Sequence, residues 1–211
     1  MKTNRFLPYI TAFLLGFFFT LSSCNDDEGL GLSPDSSEFG IFTVIDDNTA
    51  ELDGVINSSS LRNFNAMISS HPEIDMIRII NCDGSEDDEI NLELSLLVHQ
   101  RNTSIHLEEE GLIASGGTDF FLAGASRTKG TNTRIGVHSW SGEDDNGNEV
   151  EATDFPVGHE FHLPYINYYI AVGFTQQQAE DFYYFTINAA PANDIHWMTD
   201  QEIEQYGMLT P

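Results

Sequence analysis

Ser115 and His138 are the two side chains whose types and surroundings could do chemistry together. Ser115 stands among small residues in Ala114-Ser115-Gly116-Gly117, after a strand-like run (Thr103–Leu107) and before an apolar cluster at 120–123. A hydroxyl at such a strand-to-helix junction lies at a helix N-terminus, where free backbone N–H groups favour a developing oxyanion. His138 offers an imidazole that can take the hydroxyl proton. The pair predicts serine hydrolase chemistry, with a helix cap for Ser115 and a hydrogen-bonded core imidazole for His138 as the alternatives.

Three segments, in this order, resemble the proteolytic subunits of Clp proteases. The run from Ala114 to Gly124 resembles that family's nucleophile segment A-S-M-G-A-F-L-L-x-A-G, and the run from Arg134 to His138 resembles its R-I-M-I-H. The tail, with Trp197-Met198-Thr199, Glu202 and Tyr206-Gly207, resembles the family's C-terminal pattern. The resemblance covers roughly positions 42–209 and is closest to the periplasmic, Clp-protease-like branch of the Clp/crotonase superfamily. It implies a peptidase for peptide or protein substrates, without metal or cofactor, that assembles as a homo-oligomer.

The resemblance also implies a set of site residues. The catalytic triad would be Ser115 as nucleophile, His138 as base and Asp194 as the group that orients the base. The segment 81–85, N-C-D-G-S, is similar to the family's oxyanion loop N-S-P-G-G, so the implied oxyanion donors are Gly84, Ser85 and Gly116. Ser85 stands where the family has a glycine, and we expect a costly positive φ there. Asp194 lies one residue before the family's position.

Acidic residues around these segments favour a second interpretation. Asp83 and the run 86–89 surround the oxyanion loop with negative charge, which opposes a developing oxyanion. Asp119 stands one helical turn after Ser115, where the family has apolar residues, and a buried carboxylate there needs a partner. It either orients a catalytic group or marks a site reworked for another use. The alternative function is a catalytically impaired binding or scaffold lipoprotein, and a third, acyl transfer with coenzyme A, is disfavoured by the acidic loops.

Other reactive side chains form weaker patterns. Cys82 could be a nucleophile in the same pocket, although a small buried residue at a strand end is the simpler interpretation. Lys129 is a candidate base for a Ser-Lys dyad only through its nearness in sequence. His159 and His162 lack a third zinc ligand at a telling spacing. The acidic loop 141–154 does not fit the EF-hand spacing and predicts a solvated lid, with weak Ca²⁺ binding as the alternative.

The N-terminus predicts a bacterial lipoprotein. Lys2 and Arg5 precede an apolar run, and Leu21-Ser22-Ser23-Cys24 matches a lipobox, so residues 1–23 are a predicted signal peptide and Cys24 is the lipidation site, carrying acyl chains such as palmitate. Residues 24–40 are predicted to be an acidic, flexible tether. Within it Asn25-Asp26-Asp27-Glu28 is similar to a surface-export signal or is a plain linker. We expect a protein anchored to the outer membrane, on its inner or outer side.

The charge of the chain excludes a nucleic-acid partner. It has 34 Asp and Glu against 8 Lys and Arg, a formal net charge of −26. Such a charge repels phosphate backbones and anionic lipid headgroups. The partners that remain are a peptide or protein substrate and the membrane, the latter reached through the lipid at Cys24.

The order of patterns predicts an α/β domain over residues 41–211. Runs at 42–45 and 49–53 predict a hairpin, helical spacing follows from Leu61 to His71, 74–80 predicts a buried parallel strand, and 87–100 a crossover helix. Aromatic residues from 161 to 185 predict two helices broken near Gly173, and Thr199 with Glu202 predicts a capping box. With the resemblance, these elements predict ClpP/crotonase-like β-β-α units whose mostly parallel sheet is flanked by helices.

Overall fold

An eight-stranded sheet forms the centre of the part of the chain that the structure describes. The computed structural model describes residues 37–143 and 147–211. The strands of the sheet are β1 (Glu38–Phe39), β2 (Phe42–Val44), β3 (Thr49–Asp53), β4 (Met76–Cys82), β5 (Ser104–Ala114), β6 (Arg127–Lys129), β7 (Arg134–Val137) and β10 (His196–Trp197). The order along the sheet is β1-β2-β3-β4-β5-β7-β10, and β6 pairs with β5.

The middle of the sheet is parallel and its edges are antiparallel. β3, β4, β5, β6 and β7 run in the same direction, whereas β1, β2 and β10 pair antiparallel with their neighbours. Parallel neighbours require crossover connections, and these are helices α1 (Ser60–Ser70), α2 (Asp88–Gln100) and α3 (Gly116–Leu122). The predicted α/β fold with a mostly parallel sheet is confirmed.

The core lies between the sheet and these helices. Phe42 of β2 packs edge-on against Phe64 of α1 at 5.5 Å between ring centroids, and its ring is 6.5 Å from that of Phe120 in α3. All three rings are fully buried. These contacts hold α3 against the sheet and so fix the position of Ser115, the residue before this helix.

Strand β5 changes its outer neighbour halfway along its length. Its first half pairs with β6, where Ile105 lies opposite Arg127, and its second half pairs with β7, where Leu112 lies opposite Arg134. Glu110, at φ +62°, marks the irregularity between the two halves. The end of β5 is therefore next to the end of β7.

The C-terminal part adds helices α4 (Leu163–Ala171), α5 (Gln176–Ala189) and α6 (Asp200–Gln205), of which α5 contacts β7 and α4 packs on α5. Gly173 separates α4 from α5 at φ +110°, as the sequence predicts. The capping box that opens α6 is also present, because Thr199 accepts from the Glu202 N–H and the Glu202 side chain accepts from the Thr199 N–H.

Some segments differ from the sequence predictions. The loop 141–154 contains a two-stranded ribbon, β8 (Ser141–Glu143) and β9 (Glu149–Glu151), and β1 begins inside the predicted tether. The signal peptide, Cys24 and most of the tether lie outside the described residues. Within the ranges 37–143 and 147–211, no helix has the length and apolar character to cross a bilayer.

Candidate active site

Ser115 occupies the sharp junction between β5 and α3. β5 ends at Ala114 and α3 begins at Gly116, and Ser115 joins them with φ +52° and ψ −130°. Non-glycine residues in such rare conformations cost about 1–3 kcal/mol and cluster at functional sites. Ser115 holds the cap position of α3, yet its side chain makes no capping hydrogen bond. The helix-cap alternative therefore does not explain this hydroxyl.

Hydrogen bonds tie the Ser115 backbone to the strand that leads to His138. The Ser115 N–H donates to the Gly136 carbonyl at 3.1 Å, and Thr118 Oγ1 donates to the same carbonyl at 2.8 Å. Gly136 lies opposite Ala114 in the β5–β7 pairing. This pairing brings Ser115 and His138, which each follow the end of their strand, to the wall of one small cavity of about 40 Å³.

His138 has a buried nitrogen without a partner. Among the residues that the structure describes, nothing hydrogen-bonds to Nδ1, and this atom is buried. No hydrogen bond joins the ring to Ser115 Oγ, and such contacts in enzymes often tighten only when substrate binds. Buried nitrogens of core histidines are normally satisfied, so the core-imidazole alternative does not describe His138.

The predicted oxyanion loop packs against the start of α3. A Cβ at Gly84 would lie 3.1 Å from Ser115 Cβ and 3.6 Å from Ser115 Oγ, and a Cβ at Gly116 would lie 2.3 Å from Ser85 Oγ. The positive φ of this loop belongs to Gly84, at +144°, and Ser85 is outside that region. The strain that the sequence predicts at Ser85 is therefore wrong, because glycine one position earlier makes the turn.

In the part of the chain that the structure describes, the backbone N–H groups of Ser85 and Gly116 remain free beside Ser115. Ile56 pairs with this loop through the Gly84 carbonyl and the Glu86 N–H. Within the described ranges, the N–H groups of Ser85 and Gly116 donate to no protein acceptor. Free amides next to a nucleophile can stabilise a tetrahedral oxyanion.

Asp194 does not line the cavity. It is exposed, and its carboxylate accepts from the N–H of Ile195 at 2.8 Å. It does lie close along the chain to the partner strand of β7, since His196 pairs with Val137, the residue before His138. The structure thus brings together Ser115, His138, Gly84, Ser85 and Gly116, and leaves Asp194 in the adjoining turn.

Asp119 lies in the cavity and has the partner that the sequence predicts it needs. Tyr169 of α4 donates its hydroxyl to Asp119 Oδ1 at 2.6 Å, and Tyr168 donates to the Asp119 carbonyl at 2.6 Å. Burial and, to a lesser degree, the charge of Asp88 raise the pKa of the Asp119 carboxyl to about 7, although the Tyr169 hydroxyl lowers it. Oδ2 has no protein partner within the described ranges and is not fully buried.

Asp88, at the start of α2, is the second carboxylate of the cavity. It accepts from the Tyr165 hydroxyl at 2.5 Å and from the Ser85 hydroxyl. These bonds occupy both carboxylate oxygens and fix the acidic group beside the oxyanion loop. The negative charge that the sequence places near this loop is thus partly inside the cavity.

Tyr183 and Trp140 complete the wall. His162 Nε2 contacts the Pro156 carbonyl at 3.2 Å, so Nε2 carries the proton and Nδ1 accepts from the Tyr183 hydroxyl at 2.7 Å. The Tyr183 oxygen in turn accepts from Trp140 Nε1 at 2.9 Å. With both its nitrogens engaged, His162 is a structural residue.

The remaining candidates are placed elsewhere or are unreactive. Burial raises the pKa of the Cys82 thiol to about 12, so it is not a nucleophile at neutral pH. Lys129 lies 3.9 Å from the exposed Asp200 carboxylate and does not line the cavity. In the described ranges, no group of three His, Cys, Asp or Glu residues is arranged to hold a metal ion.

Comparisons with known proteins find similarity at the level of structure. No protein-family model matches the chain, and no protein of curated function matches its sequence. The 1510-N membrane-bound stomatin-specific protease of Pyrococcus horikoshii, solved with a substrate peptide, superposes with a TM-score of 0.51 at 20% identity, over 77% of this chain and 72% of that one. A point mutant of ClpP1 from Listeria monocytogenes superposes with a TM-score of 0.50 at 21% identity, over 77% of this chain and 89% of that one.

Proposed function

We propose, from the premise that the chain has the ClpP-like protease fold, that it is a serine hydrolase acting on peptide bonds. Ser115 Oγ attacks the carbonyl carbon while His138 takes the hydroxyl proton, and the imidazolium then protonates the departing amine. The N–H groups of Ser85 and Gly116 stabilise the oxyanion. Water hydrolyses the acyl-enzyme with His138 as base and frees Ser115.

One observation carries this proposal. Ser115 is held at a positive φ with its hydroxyl out of the helix cap and on the wall of a cavity that His138 shares. A residue kept only for structure would adopt a relaxed backbone and use its hydroxyl as a cap. The strained turn instead presents the oxygen to the cavity.

Asp194 remains the predicted third member of the triad. It precedes β10 by two residues, and β10 pairs with β7 immediately before His138. A shift of the turn around Asp194 would let its carboxylate approach the unpartnered Nδ1 of the imidazole. If this shift does not occur in solution, Ser115 and His138 act as a dyad.

Fluorophosphonate labelling tests the hydrolase. We expect labelling of the wild type and of Ser126→Ala, which changes an exposed serine outside the cavity, and none of Ser115→Ala. His138→Ala should slow labelling by at least about a hundredfold, in the range of general-base effects, and Asp194→Asn reports whether that residue takes part. Circular dichroism verifies that each variant is folded. Equal labelling of folded Ser115→Ala and wild type would contradict the proposal that the protein is a serine hydrolase.

We further propose that the domain is anchored at the bacterial outer membrane through lipid on Cys24. The lipobox and the basic and apolar leader support this location. Incorporation of labelled palmitate by the wild type and its loss in Cys24→Ser would agree with it, and protease shaving of intact cells would show which side carries the domain. Light scattering on the delipidated protein tests the proposed homo-oligomer.

A catalytically impaired scaffold is the second candidate function. The unpartnered Nδ1 of His138 and the exposed position of Asp194 favour it. In that case Ser115→Ala captures partners as the wild type does and still complements a deletion of the gene. If the protein is a hydrolase, Ser115→Ala fails to complement the deletion.

A further inference from the structure

We propose that the cavity beside Ser115 recognises a primary ammonium group, that of a lysine side chain next to the scissile bond, with Asp119 as its main ligand. This inference names the substrate class of the proposed hydrolase and rests on that function. It follows from the size of the cavity, from the positions of its two carboxylates and from the lack of a cationic side chain among the described residues beside them.

The cavity is small and can hold an ammonium group. Its volume is about 40 Å³, and a water-sized group needs about 10–15 Å³. The terminal methylene and ammonium of a lysine side chain fit this space. Ser115 forms part of the same wall, so a side chain held here would belong to a residue at the bond under attack.

The carboxylates of the cavity lack a counter-ion. Asp119 and Asp88 both line it, and among the described residues of its wall there is no lysine or arginine. Both Asp88 oxygens accept hydroxyl donors, but Asp119 Oδ2 has no donor and remains accessible. An ammonium donates three hydrogen bonds and carries the missing charge.

Aromatic rings supply the sides of the proposed ammonium site. Tyr165 and Tyr183 stack at 5.7 Å between centroids, and Tyr169 and Trp140 share the same cavity. Ring faces attract cations, most strongly where water is displaced. The rings also provide an apolar surface for the methylene groups of a lysine side chain. A purely polar site would lack that surface.

The proposed ligand would also remove the obstacle that acidic residues present to catalysis. Asp88 and Asp119 repel an oxyanion forming on the Ser85 and Gly116 amides, because both carboxylates share the cavity with Ser115. A bound ammonium neutralises that field at the moment of attack. Neutral side chains would leave the repulsion in place, so the same two residues select for lysine in binding and in the chemical step.

Binding of the ammonium is coupled to release of a proton from Asp119. The titratable or polar groups that face Asp119 lie in or next to five elements: Asp88 (α2), Ser115 (before α3), His138 (after β7), Tyr165, Tyr168 and Tyr169 (α4), and Tyr183 (α5). With an Asp119 pKa of about 7, the ionised fraction rises about tenfold from pH 6 to pH 8, while the lysine ammonium stays charged. Lysine selectivity therefore increases with pH over this interval.

Matched covalent probes test the selectivity. Two diphenyl phosphonates are compared, one with the lysine side chain and one with norleucine, which has the same four carbons without the ammonium. We expect the lysine probe to modify Ser115 at least about tenfold faster at pH 8, the size of one charge-assisted hydrogen bond. The ratio should fall towards one at pH 6 and in Asp119→Asn, and stay unchanged in Asp181→Asn, an exposed carboxylate of α5 outside the cavity.

A binding measurement separates this inference from the proposed function. Ser115→Ala protein is titrated with n-butylammonium and with 1-butanol, and ammonium binding that weakens at least about tenfold in Ser115→Ala/Asp119→Asn supports the site whether or not Ser115 is a nucleophile. Equal affinity for butanol and butylammonium overturns the site. Ser115-dependent labelling with equal lysine and norleucine rates would leave the hydrolase intact and also overturn the lysine selectivity.

Discussion

Replacing Asp119 with asparagine should make the protein's stability less dependent on pH. The asparagine keeps the shape of the carboxyl and an oxygen for the Tyr169 hydroxyl, which donates to Asp119 at 2.6 Å, but it cannot ionise. In the folded wild type the pKa of Asp119 is raised from 3.8 to about 7, mainly by burial. The folded state therefore holds a proton that the unfolded chain releases between these two values.

The sign and size of the effect follow from that proton. Because the carboxyl pKa is raised, its contribution to stability is fully present below the unfolded value and is lost as pH rises through the folded one. Between pH 5 and pH 8 the loss amounts to about 2.5 kcal/mol, at 1.36 kcal/mol for each pKa unit. Asp119→Asn has no carboxyl at this position and does not lose this free energy. Its free energy of unfolding relative to wild type should therefore increase by about 2.5 kcal/mol between pH 5 and pH 8.

Urea denaturation of both proteins at pH 5 and pH 8 measures this difference. A constant offset between the curves reports the changed hydrogen bond to Tyr169, and only the change with pH reports the proton. Asp181→Asn, which removes an exposed carboxylate on α5, controls for the loss of one negative charge. Parallel pH profiles for Asp119→Asn and wild type would show that Asp119 is not desolvated as described.

Three further predictions concern packing and capping. Gly117→Ala should destabilise the protein by about 1–3 kcal/mol in urea denaturation, because the new Cβ would lie 2.4 Å from the Cys82 carbonyl oxygen, whereas Gly142→Ala, with open space around it, should not. In Cys24→Ser protein the remaining thiol, Cys82, should react with iodoacetamide at pH 8 roughly a thousandfold faster after unfolding, since its folded pKa is about 12; fast reaction of folded protein would contradict the burial. Thr199→Ala should cost about 1 kcal/mol through loss of the α6 cap, and an unchanged urea midpoint would contradict it.

Much of the fold follows from local patterns in the sequence. The hairpin of β2 and β3, the crossover helix α2 and the break at Gly173 each depend on residues that are neighbours along the chain. The capping box at Thr199 spans four residues and is visible in the sequence for the same reason. These elements could be predicted because spacing and turn chemistry determine them.

Other elements depend on partners that are distant along the chain. β1 and β10 have two residues each and exist only because a neighbouring strand supplies their hydrogen bonds. The second half of β5 begins after the charged run Glu108, Glu109 and Glu110. This run does not have the pattern of a strand, although the end of β5 that follows it is buried. No periodicity reveals such segments, since tertiary pairing decides them.

The candidate site shows the same division. Ser115 and His138 are recognisable from their segments, and the need of Asp119 for a partner follows from its position, but Tyr169 lies 50 residues further along the chain. Only the packing of α4 over α3 identifies it. The predicted strain at Ser85 is wrong because the backbone places the positive φ at Gly84, a choice that the loop's sequence does not specify.

Trp140 gives this protein an internal optical reporter. The chain has two tryptophans, and the indole of Trp140 is bonded to Tyr183 in the cavity wall, whereas Trp197 lies under the guanidinium of Arg134 and outside the cavity. Emission from Trp140 should therefore change in intensity or wavelength as the space beside it fills, while Trp197 contributes a steady background that a phenylalanine would remove. Occupancy could then be followed in solution in real time, without any label.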